Sequence, residues 1–306
     1  MTEAATTEQS TLRAYGVLFI GVIAVSMAAI LIRLGQGQDV SSLLIAAGRL
    51  TLAALILTPS ALRNPRFMAQ IRALSRRDML LIGISGLFLA IHFATWVTSL
   101  EYTTVLISVV LVTTTPLWVA LLEIFVLRAS LTRGVIVGLI IVLSGSLIIG
   151  VSGEPEVADS GNQMIEGGIL ALIGAMAAAV YLTIGRNLRP RLSLIPYIWL
   201  VYGCAALILL GAVIVSGISI TGYGFEGYLW VIALALVPQL IGHSSLNYAL
   251  AYLPATLVSI ATQAEPIGGA ILALFIFSEV PGSWQVFGSI VILAGVTLTT
   301  LSQSKD

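Results

Sequence analysis

Apolar residues along this chain gather in long runs separated by short polar stretches. The runs fall at roughly 14–35, 41–62, 78–99, 103–127, 131–151, 166–186, 193–216, 226–250, 255–279 and 283–302. A helix rises 1.5 Å per residue, so about 20 apolar residues cross the ~30 Å hydrocarbon core of a bilayer. The pattern therefore predicts ten membrane-spanning helices. The run at 14–34 is followed by many like it, so it reads as a retained span and not a cleaved leader. Residues 1–13 are polar and read as a short cytoplasmic tail without structure of its own. The longest hydrophilic connections, 63–77 and 152–163, read as loops, which leaves no room for a soluble domain.

Composition agrees with the pattern. Of 306 residues, 58% are hydrophobic and 9% are charged, against about 25% charged in a soluble domain. Fourteen basic and fourteen acidic residues cancel. Nucleic acid is thereby excluded as a partner, since it needs a basic face; the expected partners are the lipid bilayer and a small-molecule substrate. The single Cys204 permits no internal disulfide and offers no zinc cluster, so no metal and no cofactor are expected.

The charges also orient the helices, because Lys and Arg favour the cytoplasm. With the N-terminus inside, Arg13, the cluster from Arg63 to Arg77, Arg128, Arg133, Arg186, Arg189, Arg191 and Lys305 all fall inside, twelve of the fourteen. Arg33 is left at the outer end of the first helix and Arg49 within the second. Asp39, Glu101, Glu154, Glu156, Asp159 and Glu226 collect outside. Both termini are expected in the cytoplasm.

The two halves repeat. At a constant offset of 150, Tyr102 matches Tyr252, Pro116 matches Pro266, Phe125 matches Phe275, Gly138 matches Gly288 and Gly145 matches Gly295. Each half, 14–151 and 166–302, holds five predicted helices. Five is odd, so the second copy enters the membrane inverted. The expected fold class is an all-α integral membrane protein of ten transmembrane helices in two inverted five-helix repeats. Transporters built this way bind substrate near the midplane, where the repeats meet.

Within the repeats, "VLVTTTPLWVALLEIF" (Val110–Phe125) and "IATQAEPIGGAILALF" (Ile260–Phe275) break their helices at matched prolines. Proline leaves the carbonyl four residues earlier without its helical partner, here those of Val112 and Thr262. In lipid such a group must face protein or water. The threonines around Thr115, and Thr262, Gln263 and Glu265, can satisfy it or offer it to a ligand. Pro116 and Pro266 are candidate hinges. Gln239, His243 and Asn247 recur at i, i+4 and i+8, and His92 and Trp96 at i and i+4, each on one helical face. Such stripes either bond neighbouring helices or line a water-filled path. Glu265 lies about 15 Å deep by its position along the ninth run, and an intramembrane carboxylate is a functional candidate by default. Tyr181 is a candidate cavity aromatic, with Trp118 and Tyr248. Glu123 is expected in a surface ion pair with Arg128. Arg49 either snorkels outward or holds a substrate carboxylate.

"TTTPLWVALLEIFVLRASLTRGVIVGLIIVLSGSLII" and "TQAEPIGGAILALFIFSEVPGSWQVFGSIVILAGVTL" resemble the second half of an EamA repeat, and "GRLTLAALIL" resembles its second helix. The resemblance covers nearly the whole chain. It implies the drug/metabolite transporter superfamily, whose ten-helix members move small metabolites, and within it bacterial amino-acid exporters of the YddG type. "FSEVPG" carries the family glutamate as Glu279, and the first copy has Ala129 at the matched position.

The leading expectation is a secondary transporter exporting small metabolites, amino acids foremost, across the bacterial inner membrane by alternating access. It is expected to act as a monomer or weak dimer. Other metabolite or drug exporters of the superfamily are the nearest alternative. An intramembrane enzyme is another, in which Ser85 meets His243; ten helices and an internal repeat go unexplained by it. A channel is a third. The sequence has no Walker lysine motif, so ATP is not the expected energy source.

Overall fold

A computed structural model describes residues 2–103, 105–126, 128, 130–151, 161–277 and 282–303. Among these residues every apolar run is helical. Helices α1 (Thr2–Ser26) and α2 (Ala28–Gln36) make the first span, α3 (Ser42–Arg63) the second and α5 (Arg76–Tyr102) the third, with α4 (Pro65–Arg72) between the last two. The fourth span is broken into α6 (Val105–Val112) and α7 (Thr115–Phe125), and α8 (Arg133–Val151) is the fifth. The second half follows with α9 (Gly161–Leu188) and α10 (Leu194–Val215). Its third span joins α11 (Phe225–Leu234), a π-helical stretch (Ala235–His243) and α12 (Ser244–Ala249). Its fourth joins α13 (Ala255–Ala261), a 3-10 turn (Thr262–Ala264) and α14 (Glu265–Phe277). The last span is α15 (Ser283–Gln303).

Two expectations change. The tail expected to lack structure is helical from Thr2: neither proline nor glycine interrupts residues 2–13, so the first span's helix propagates into them. The connection at 63–77 is also not a plain loop. Pro65 opens α4 with the Asn64 side chain accepting from the Arg66 N–H at 3.0 Å, the residue pair suited to a helix start. Gln70 of α4 exchanges two hydrogen bonds with Ser193, at 2.9 and 3.1 Å, which ties the connection between the second and third spans of one half to that between the first and second spans of the other. On the same basic face Asp78 closes a capping box with Ser75 and pairs with Arg191 at 2.7 Å.

The packing follows the repeat. Helix α8 runs along α15, and α3 along α10, so equivalent spans of the two halves meet. Helix α5 packs on α9, and α1 on the π stretch and α12; exchange of the halves turns one of these contacts into the other. The matched glycines show how closely the halves approach. A Cβ on Gly138 would lie 2.9 Å from the Gly295 carbonyl, and one on Gly145 would lie 2.8 Å from the Gly288 carbonyl. With no hydrophobic drive between helices in lipid, small residues that admit backbone contact are what hold spans together. Gly138 and Gly145 thus each oppose the repeat mate of the other.

Candidate functional site

The two proline breaks meet each other. At Pro116, the freed Val112 carbonyl accepts the Thr115 hydroxyl at 2.7 Å, while Thr113 and Thr114 donate to Val110 and Leu111. At Pro266, the freed Thr262 carbonyl accepts the Glu265 N–H in a 3-10 turn. Both carbonyls are therefore satisfied within their own helix and not held out to a ligand. What joins the breaks is Gln263. Its amide nitrogen donates to the Thr113 carbonyl, and its oxygen accepts from Ser146 at 3.0 Å. Thr113 is the residue 150 positions before Gln263, its own repeat mate, so the bond lies on the pseudo-twofold axis.

Beside this junction is a cavity of about 60 Å³. Its polar wall includes His92, Trp96, Thr115, Tyr181, His243 and Glu265, with Thr113 and Thr262 from the two breaks; Val25, Val112, Leu182 and Leu246 are among the apolar residues. A water needs about 10–15 Å³ of such space, so there is room for a handful of waters, and a metabolite needs the walls to part. His92 stacks on Trp96 with centroids 5.8 Å apart, and its Nδ1 meets the Gly174 carbonyl at 2.9 Å. The ring of His243 lies 6.3 Å from that of His92 and 5.1 Å from Phe93. The indole nitrogen of Trp96 and Nδ1 of His243 are buried with no protein partner.

Of the residues singled out from sequence, Gln239, Asn247 and Gln263 do not reach this wall. All three are fully buried. The π turn at 235–243, which contains Pro238, presents His243 to the cavity and turns Gln239 toward the second span. Asn247 donates to the Tyr181 hydroxyl, to Tyr202 at 3.4 Å and to the His243 carbonyl at 2.7 Å. Trp118 donates to Thr114 at 3.2 Å, and Tyr248 packs against Tyr252 with centroids 5.2 Å apart; neither lines the cavity.

Three readings are corrected. Glu123 is not in a surface ion pair with Arg128. It is buried, accepting the Ala255 N–H at 2.9 Å and the Thr256 hydroxyl, and so caps α13 of the other half. Sequence spacing hides this, because 132 residues separate donor and acceptor. Arg49 does not snorkel. It is wholly enclosed, its Nε donating to Gln239 Oε1 at 3.1 Å and its Cζ lying 4.0 Å over the Phe93 ring. Ser85 meets the Tyr197 hydroxyl at 3.2 Å and not His243. Phe93 and Tyr202 were missed altogether: nothing in their apolar neighbourhood marks one aromatic among many. Glu279 and Ala129 lie outside the described residues.

The sequence profile of EamA-like transporters matches residues 12–151 and again residues 165–301. The chain belongs to the EamA-like transporter family. It is 24% identical over 226 residues to an uncharacterized transporter of Archaeoglobus fulgidus, spanning 73% of this chain and 76% of that one. A crystal structure of a protein with 18% sequence identity superposes with a TM-score of 0.78 over 97% of this chain and 98% of its own, which shows the shared fold. The family's two repeats are the two five-span halves described above, in a multi-pass membrane protein.

Proposed function

We propose that this EamA-like transporter exports small zwitterionic metabolites, amino acids foremost, across the bacterial inner membrane by alternating access. The observation that supports it best is the cavity where the two repeats meet. A free amino acid carries a carboxylate and an ammonium together. Imidazoles, hydroxyls, an indole N–H and one carboxylate hold both without a strong net charge, and the aromatic and aliphatic wall tolerates a varied side chain. A nucleotide-sugar carrier would need several fixed cations around a diphosphate, and no arginine or lysine lines this cavity. The outward direction rests on the resemblance to bacterial exporters. The substrate is the partner expected, the lipid bilayer the surroundings, and a monomer or weak dimer the working unit. Export of other metabolites or drugs is the second reading, favoured by the apolar half of the wall.

The test is transport by the purified protein in liposomes across an amino-acid panel, with and without an imposed pH gradient. Uptake of several neutral amino acids against buffer controls is expected. Transport of none, with an apolar drug carried instead, would favour the second reading. A reporter active only in the periplasm, fused after Asp306, is expected to stay silent; strong signal would overturn the orientation.

A further inference from the structure

Behind the His243 wall of the cavity lies a set of buried nitrogens with no close hydrogen-bond partner. Both terminal nitrogens of Arg49, the amide nitrogen of Gln239 and Nδ1 of His243 are buried and unpartnered. They belong together. Arg49 is bonded to Gln239 and lies over Phe93, and the Phe93 ring is 5.1 Å from that of His243. Two of the three residues, Gln239 and His243, come from the π stretch at 235–243, and π turns inside α-helices recur at functional sites. No carboxylate of the described residues forms an ion pair with Arg49. Glu265 acts on Arg49 only from a distance, and a buried cation without a bonded counter-ion costs several kcal/mol even after relaxation, so the cluster has room for an anion it does not itself contain.

We infer that Arg49 and Gln239, behind the cavity wall, and His243, on it, form a carboxylate subsite, so that the transported substrate must carry a free carboxylate. The inference rests on the transport reading above and narrows it. The guanidinium is a planar fork that matches a carboxylate with two parallel bonds. Gln239 holds it through Nε, which leaves the two terminal nitrogens free. One guanidinium balances one negative charge, as in a monocarboxylate and not a phosphate dianion. Glu265, on the cavity wall, is near enough for its charge to act on Arg49 but makes no ion pair with it. It is left for the ammonium of an amino acid. Phe93 stands over Arg49, so the fork meets the substrate as the wall opens.

The test uses four probes: L-leucine, L-leucinamide, 4-methylpentanoate and 3-methylbutylamine. Each is titrated into the purified full-length protein, with binding read from thermal stabilisation. The wild type is expected to bind the two carboxylates roughly 10- to 100-fold more tightly than the two probes lacking one, as for a charged hydrogen-bond pair. Arg49→Gln should bring that ratio close to one while keeping a monodisperse, folded protein. Arg49→Lys should retain part of it, and Gln239→Leu should weaken it with the cation still present. If Arg49→Gln does not fold, the lysine and Gln239 variants decide. A merely structural arginine would lower all four affinities together and leave the ratio unmoved. Equal binding of acid and amide by the wild type, no binding of any probe, or an unchanged ratio in the variants overturns the subsite. Tight, Arg49-dependent binding of 4-methylpentanoate without leucine transport in liposomes would instead overturn the amino-acid reading and leave the subsite standing.

Discussion

The breaks at Pro116 and Pro266 occupy equivalent places and solve the same problem differently. At Pro116 three threonine hydroxyls bend back onto the carbonyls of their own turn. At Pro266 the backbone repairs itself with a 3-10 turn, which frees two side chains for other work. Gln263 crosses to the opposite break, and Glu265 faces the cavity. The first break bonds almost wholly within itself, with one long contact from Thr115 to the Ala175 carbonyl at 3.4 Å; the second reaches outward. Shared geometry has not forced shared chemistry: once the backbone is satisfied at each break, the side chains are free to diverge.

Breaking the link between the two should have the largest effect. Gln263→Leu leaves the Thr113 carbonyl without the amide and Ser146 without its acceptor, at about 1–3 kcal/mol for each buried group unpaired. A fall of several degrees in the melting temperature of the detergent-solubilised protein is expected, together with loss of transport. A variant as stable as the parent would show that the bond contributes nothing net.

A somewhat smaller loss is expected where the halves are joined at the basic face. Glu123→Ala removes the cap of α13, worth roughly 0.5–2 kcal/mol. It should also make a cysteine at Thr256, in a Cys204→Ser background, react faster with a membrane-impermeant thiol reagent. The position matched to Glu123 in the second half is Ala273, so no such cap is expected at the opposite face. Unchanged labelling would place the closure elsewhere.

Glu265→Gln probes the outward-reaching break with little change in shape. If the carboxylate couples transport to protons, the variant should bind substrate yet lose its response to an imposed pH gradient. An unaltered response rules Glu265 out as the coupling group. The smallest effect belongs to the first break. Thr113→Val removes one hydroxyl bond to a local carbonyl and should cost no more than about 0.5–1.5 kcal/mol, with transport retained. A collapse of transport would mean that the first break does more than hold its own backbone.

Periodicity, charge placement and the 150-residue offset were enough to read ten spans, the inversion and the matched breaks, because each depends on residue type at a fixed spacing. The cavity was legible in part. His92, Trp96, Thr115, Tyr181, His243 and Glu265 line it, as a polar group in an apolar run leads one to expect. Gln239 and Asn247 share a nominal face with His243, but a π turn at 235–243 changes which way each residue looks, and no period of 3.6 foresees it. Glu123 at the surface, and the outward-snorkelling alternative for Arg49, fail for a different reason. Their partners lie 132 and 190 residues away, so only packing decides whether such a charge meets water or a neighbour.

The seam between α8 and α15 carries a practical consequence. Gly138 faces Gly295 and Gly145 faces Gly288, so the two halves grip one another backbone to backbone across a surface that needs no covalent joint. The chain should then tolerate being made as two polypeptides, divided between residues 151 and 161 and expressed in the same cell. The fragments would find each other in the bilayer much as separately inserted helices do. Gly145→Leu in either the split or the intact protein would show how much of that reunion the seam supplies.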